Sequence, residues 1–383
     1  MTLSAMNQNT ETVSLYVHIP FCRTRCDYCA FYSQPLQGQG ISAFVEALNV
    51  ELDIVGISEE VCTIYIGGGS PSCIGSDNLA GLCKQLSDRF PRFTEFTVEL
   101  NPGQVDMNLL QSLHAVGVNR ISLGAQSFHK SELHVLGRAH SVGDIVTAVD
   151  LAKSAGIANV SVDLIFAIPG STVESWKYSL DSAVALDVQH ISAYALTWEE
   201  RTPIDEKRRS GIIEPVDEET DCAMYETAID KLAKAGFVHY EISNFARDGF
   251  QCAHNLRYWS NDQSIGIGPA AASWYRGKRT TNIADTTRYL EMLRNGRTAV
   301  VETETPSQIE NACQTAVLNL RRTGGIDLAE YIRRTGYDLT KLFASEIERN
   351  RKLGLLEVTN DRVCLAHRAL AIADSVLSDF ASV

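Results

Sequence analysis

Short apolar runs recur through the first half of the chain, separated by longer stretches in which apolar positions return every three or four residues. The runs Ser14–Ile19, Val61–Ile66, Phe96–Leu100, Arg120–Gly124, Val160–Ile165 and His190–Tyr194 predict six strands. The stretches between them predict helices over 43–55, 78–89, 107–115, 142–155 and 173–186. Two of these helices run into Gly117 or Gly156, where glycine takes the left-handed position past the last turn. Alternating strands and helices imply right-handed crossovers, hence parallel strands with the helices outside. Six such units predict an α/β fold built on an incomplete parallel (β/α)6 barrel. A doubly wound sheet would give nearly the same local pattern.

Past Tyr194 the repeat breaks. Residues 197–219 are charged and turn-rich and read as a linker across the barrel mouth, 221–235 as an amphipathic helix, and 237–245 as a strand signal. From 306 onward, helices over 308–320, 327–334 and 339–352, a hairpin over 355–365 and a helix over 369–380 predict a small winged-helix-like unit. The expected organisation is therefore a disordered terminus over 1–13, a partial barrel over 14–195, a linker and accessory region over 196–305 and a C-terminal helical domain over 306–383.

Composition narrows the classes. With 383 residues, 45% of them hydrophobic, the chain buries ample core without staples. Ten cysteines without a regular pattern beyond the first three, and no apolar leader, point to the reducing cytosol, so the expected location is cytoplasmic. No apolar stretch is long enough to span a membrane, which leaves peripheral membrane contact open. A net charge of -13 argues against nucleic acid as a partner.

The first predicted strand runs into Cys22-Arg-Thr-Arg-Cys26-Asp-Tyr-Cys29, three thiols within eight residues. Thiolates at such spacing hold iron-sulfur clusters, and a zinc knuckle fits poorly because no histidine follows at ligand spacing. Phe31 stands where a further cysteine would continue the run, so a cubane bound here keeps one iron free for an exchangeable ligand.

This C-x3-C-x2-C spacing resembles the signature of the radical-SAM superfamily. With the preceding Tyr16-Val-His-Ile-Pro-Phe, it is similar to the oxygen-independent coproporphyrinogen III oxidases and their HemW-type heme chaperone relatives. The resemblance implies a 4Fe-4S cluster on Cys22, Cys26 and Cys29, with S-adenosylmethionine chelating the free iron. It continues behind successive strands. Gly67-Gly68-Gly69-Ser70-Pro71 looks like the family's GGGTP element, Glu99 ends the third strand, and Gln126, Arg138 and Asp163 follow in the family's order. The implied S-adenosylmethionine contacts are Tyr16, Gly68, Gly69, Ser70, Glu99, Gln126, Arg138 and Asp163. Charge and donor geometry suit Arg138 to a ligand carboxylate and Asp163 to ribose hydroxyls. Taken singly, each has a bland alternative, Glu99 as a solvated strand end among them.

Further on, His254-Asn255-Leu-Arg-Tyr258-Trp259 resembles the motif that the HemW-type proteins associate with heme. Histidine and tyrosine are haem-iron ligands and Trp259 offers a flat apolar face, but His254 and Tyr258 could equally satisfy buried backbone while Trp259 packs in a core. In Gly266-Ile-Gly268-Pro-Ala270-Ala-Ala272-Ser, alanines replace a glycine and a histidine common in relatives.

Two function classes remain open. One is a radical-SAM oxidase of coproporphyrinogen type, in which a 5'-deoxyadenosyl radical takes hydrogen from propionates that then lose carbon dioxide. The other is a heme chaperone that binds the cluster, S-adenosylmethionine and heme and hands heme to an acceptor protein. Phe31 in place of the oxidases' fourth cysteine, the short segment before Tyr16 and the His254–Trp259 motif favour the chaperone. Either class implies a flavodoxin- or ferredoxin-like electron donor. A plain electron carrier leaves the Gly67–Pro71 run, Gln126, Arg138 and Asp163 without a ligand.

Overall fold

The computed structural model describes residues 12–36 and 40–382. The disorder expected over 1–13 falls largely on residues 1–11, outside the described residues, while Thr12 and Val13 already belong to the first strand.

Twelve strands form one sheet. In chain order they are β1 (Thr12–Ile19), β2 (Glu60–Gly68), β3 (Glu95–Leu100), β4 (Arg120–Gln126), β5 (Asn159–Phe166), β6 (His190–Ala195), β7 (Val238–Glu241), β8 (Asn244–Ala246), β9 (Ser264–Ile267), β10 (Ala272–Tyr275), β11 (Lys278–Asn282) and β12 (Val300–Glu304). Their order across the sheet is β12-β11-β10-β9-β1-β2-β3-β4-β5-β6-β8-β7. Strands β1 to β6 lie side by side in sequence order, all parallel. A doubly wound sheet must reverse its order at a switch point. Here none occurs, so right-handed crossovers keep every helix on one face and the sheet curls as a partial barrel.

The expected barrel had six parallel strands; the sheet has seven. Ser264–Ile267 pairs parallel to β1 on the side away from β2, Ser14 facing Ser264 and Tyr16 facing Gly266. Strands β10 to β12 then extend that edge antiparallel, and β8 and β7 extend the other. The strand signal over 237–245 resolves into this last pair. Residues 203–209, expected to be loop, form a helix with Pro203 in its first turn and Thr202 capping Asp205 N. The helix expected over 339–352 breaks at Phe343, whose buried ring meets Phe380 with centroids 5.0 Å apart.

The strands are sided. Leu15, Val17 and Ile19 are fully buried on the face that packs against helix Ile41–Val55 through Phe44, Leu48 and Leu52. The other face carries Ser14, Tyr16 and His18 from β1, Thr63 and Tyr65 from β2, Thr97 and Glu99 from β3, Ser122 from β4, Asp163 from β5 and His190 and Ser192 from β6. Parallel barrels are normally filled by branched apolar side chains. This one is lined by hydroxyls, carboxylates and imidazoles.

Helix Ala253–Trp259 stoppers the amino-terminal end of the barrel. Its own cap residue, Cys252, offers no side-chain bond. Instead Glu95, at the start of β3, accepts from Ala253 N at 2.9 Å and His254 N at 3.0 Å. Arg257 fixes the other side, donating to Ser14 Oγ at 2.8 Å and Thr12 O at 2.7 Å.

The C-terminal unit places helices Gln308–Leu320, Leu328–Thr335 and Ala344–Lys352 around a three-stranded antiparallel sheet of Ile326–Asp327, Arg362–Leu365 and Leu356–Val358. It bonds to the stopper helix through Asn319 Nδ2 to Trp259 O, and to the barrel's edge through Ile242 N to Arg321 O.

Glu95 satisfies two helix-end donors at once. Glu95→Ala should therefore cost about 2–6 kcal/mol of stability, since each buried orphan donor costs roughly 1–3 kcal/mol. Urea unfolding measures it, and a loss under about 0.5 kcal/mol would mean that water caps the helix instead.

Candidate functional site

The carboxyl ends of the strands, where barrel sites are built, bring together most of the residues singled out from sequence. Cys22, Cys26 and Cys29 are half-buried, unpaired thiols on the loop after β1. Burial pushes the Cys22 thiol up to about 11 and raises that of Cys29, and each also feels neighbouring sulfurs of the loop. Cys26 Sγ accepts from Arg138 Nη1 at 3.2 Å. The donor set fits an iron-sulfur cluster in kind: three thiols on one loop, with a guanidinium beside one of them. Among the described residues no three side chains of His, Cys, Asp or Glu already stand as a metal-holding group, so the fit is one of chemistry rather than of a finished cage.

The glycine run begins at the end of β2. Its N–H groups are spent inside the protein: Gly68 N donates to Glu99 Oε2 at 3.2 Å, Gly69 N to Ile19 O at 2.8 Å and Ser70 N to Phe21 O at 2.7 Å. Space is what demands glycine. A Cβ on Gly68 would lie 2.5 Å from the His18 ring, and one on Gly69 would lie 2.6 Å from Phe21 O. The run locks the cysteine loop to the second strand.

Ser70 Oγ and Ser72 Oγ both reach Gln104 Oε1, at 3.0 and 2.6 Å, and Cys73 Sγ reaches it at 3.6 Å. Cys73 also sits close enough to Cys22 to raise its pKa. Neither Gln104 nor this fourth thiol stands out in the sequence, because nothing in the spacing brings residue 73 to residue 22 or residue 104 to residue 73.

Glu99 accepts from Tyr65 Oη at 2.7 Å, and burial pushes its carboxyl up to about 6. Asp163 accepts from Ser192 Oγ at 2.7 Å and Ser122 Oγ at 3.1 Å, and burial raises its carboxyl too. Tyr16 Oη meets His18 Nδ1 at 3.1 Å. Gln126 adopts φ +67°, a left-handed backbone uncommon outside glycine, where β4 loses register with β5. Arg138 Nη2 donates to Gly124 O at 2.6 Å, and its Nε is buried without a partner. A strained glutamine, a half-satisfied guanidinium and two carboxylates facing one lumen are what a bound polar ligand would complete.

His254 lies at the opposite end. It is 1% exposed, with Nδ1 bonded to Thr63 Oγ1 at 2.9 Å and Nε2 to Tyr258 Oη at 3.0 Å. Both ring nitrogens are engaged, so neither is free for iron in this arrangement. Trp259 packs under the Arg321 guanidinium at 4.7 Å, its indole N–H buried and unpartnered, and Asn255 is half-buried on the same helix. Ala270 is held at φ +61°, and Ala272 is exposed at the start of β10.

The chain carries a radical-SAM domain followed by a C-terminal domain of HemN type. The family model described as Radical SAM superfamily matches residues 16–183, and HemN C-terminal domain matches residues 307–372. Heme chaperone HemW of Bacillus subtilis (strain 168) is 32% identical over 378 residues, covering 96% of this chain and 98% of that one. The protein of the same name from Escherichia coli (strain K12) is 36% identical over 267 residues, covering 68% and 69%. The chain belongs to the heme chaperone HemW family. Among solved structures, the radical-SAM coproporphyrinogen III oxidase HemN of Escherichia coli superposes with a TM-score of 0.83 over 97% of this chain and 90% of that one, at 20% identity, a likeness of fold.

The His254 environment has a pH signature. Burial, with the Arg257 and Arg120 charges adding to it, lowers the pKa of its imidazole from 6.5 to about 3. The unfolded chain takes up the proton first, so stability is complete above 6.5 and is lost as pH falls towards 3. One such group contributes a slope of about 1.4 kcal/mol per pH unit. Urea unfolding of His254→Gln should therefore show a pH dependence shallower by roughly that amount between about pH 6 and 4. Equal slopes would mean the ring is already charged in the folded protein.

Proposed function

We propose that this protein is a heme chaperone that binds a 4Fe-4S cluster, S-adenosylmethionine and heme, and passes heme to an acceptor protein. The observation that carries the reading is the mouth itself, where the cysteine loop, Arg138 and the inward carboxylates converge from separate strands. Cys22, Cys26 and Cys29 would hold the cluster, which when bound supplies an open iron site for S-adenosylmethionine and a one-electron redox centre. Arg138, buried with an unpaired Nε, would face the ligand carboxylate. Asp163 and Glu99 would accept from ribose hydroxyls and the amino group, Tyr16 and Gln126 would line the same lumen, and Gly68, Gly69 and Ser70 would form its wall. A flavodoxin- or ferredoxin-like protein in the cytoplasm would supply electrons, and peripheral membrane contact is compatible with the lack of a membrane-spanning helix among the described residues.

Heme binding comes to this chain from the name of its relatives. His254, Asn255, Tyr258 and Trp259 are its proposed contacts, reached when helix Ala253–Trp259 releases Glu95. Bound to iron through one ring nitrogen, His254 would give up the partner on that nitrogen, Thr63 or Tyr258.

Anaerobic reconstitution should give a four-iron cluster that each of Cys22→Ala, Cys26→Ala and Cys29→Ala abolishes; a stable cluster in all three variants removes the assignment. Purified protein should take up heme with a Soret band shifted by His254→Gln or Tyr258→Phe, and an unchanged band in both moves the heme elsewhere. Reduced protein given coproporphyrinogen III and S-adenosylmethionine should leave the porphyrinogen intact. Formation of protoporphyrinogen IX would instead establish the oxidase reading.

A further inference from the structure

Between Cys26 and Cys29, Asp27 is held by two segments distant in sequence. Its backbone N–H donates to Leu136 O at 3.1 Å, and its carbonyl accepts from Ile204 N at 3.0 Å. Its carboxylate pairs with Lys207 Nζ at 2.6 Å. Gly137 leaves no room for a side chain there: a Cβ would lie 2.7 Å from Asp27 Oδ1, and the backbone sits at φ +68°. Ile204 is fully buried in a separate apolar cluster with Leu136, Ile165, Ile168 and Leu196, and Tyr28 of the cysteine loop packs against that cluster. Helix Pro203–Arg209 thus lies against the cysteine loop, fastened by one backbone bond, an apolar plug and one ion pair, while Leu136 O holds the loop separately.

We propose that helix Pro203–Arg209 is a clamp on the cysteine loop, acting through Asp27, with Lys207 and Asp27 as positioning residues that set how readily the loop opens to solvent. The inference rests on the reading that these thiols hold a cluster. It goes beyond that reading by assigning control of the loop to a segment some 180 residues downstream. Lys207 and Asp27 side chains are 41% and 25% exposed, so the pair can be broken without unfolding the barrel and its effect is modest. Ile204 is the apolar anchor and carries the larger share.

The first test uses cluster-free protein, kept reduced, and follows iodoacetamide labelling of Cys26 and Cys29 by mass spectrometry, with exposed Cys222 as internal reference. Relative to Cys222, labelling should speed up about two- to fivefold in Lys207→Met and in Asp27→Asn, and more in Ile204→Ala. Lys207→Arg should restore the wild-type ratio, as should the charge exchange Asp27→Lys with Lys207→Asp. The second test follows iron loss from reconstituted protein to a chelator, which should speed up in the same order. Unchanged labelling in both Lys207→Met and Asp27→Asn overturns the clamp, as does faster labelling that the charge exchange fails to reverse. Should wild-type protein take up no cluster, the cluster reading falls while the labelling ratios still decide the clamp.

Discussion

A face of polar side chains shut inside a barrel is costly, and the structure is arranged around meeting that cost. Along β1 the sequence Ser-Leu-Tyr-Val-His-Ile sends Leu15, Val17 and Ile19 outward under the helices and Ser14, Tyr16 and His18 inward. Neighbouring strands continue the alternation in register. Hydroxyls from one strand then serve carboxylates on the next: Ser122 and Ser192 for Asp163, Tyr65 for Glu99. Compensation is incomplete, since burial still raises both carboxyls, and the Nε atoms of Arg120 and Arg138 lack partners. A lumen whose groups are only partly satisfied is poised for a ligand that brings its own donors and charge.

Both ends of that lumen are closed by chain that comes after the sixth strand. At the bottom, helix Ala253–Trp259 is capped by Glu95 and tied to β1 by Arg257. At the mouth, helix Pro203–Arg209 meets the cysteine loop at Asp27. A curled sheet with open ends would expose its polar lining to bulk water and lose the low-dielectric surroundings that strengthen hydrogen bonds. The accessory segment is therefore part of the barrel's construction, and its strands β9 to β12 widen the same sheet.

The parallel strands and their helices were legible because each is local. Strand runs and helix periods are read within a dozen residues, and the six predicted strands match β1 to β6 to within one or two residues at most ends. What escaped was pairing over long separations. Ser264–Ile267 is four residues whose strand character comes from lying beside β1, some 250 positions earlier. Cys73 comes near Cys22, and Gln104 meets Cys73, only once the barrel has curled. The glycine run was recognisable as special, but the close approaches that demand glycine, to the His18 ring and the Phe21 carbonyl, come from segments about 50 residues earlier. The polar lining could have been noticed. Strict alternation in a strand flanked by helices on only one side already says that the other face is not an apolar core.

The motif around His254 shows why recognising a pattern and assigning its chemistry are separate steps. His254 and Tyr258, four residues apart on one face of a helix, bond to each other at 3.0 Å, and His254 closes onto Thr63. That arrangement already explains those two residue types at that spacing. It does not exclude heme, but it makes the two uses competitive. Iron can take a ring nitrogen only if a hydrogen bond is given up. Displacing the helix also frees the two N–H groups that Glu95 holds and exposes the lower lumen where Tyr16 and Tyr65 stand.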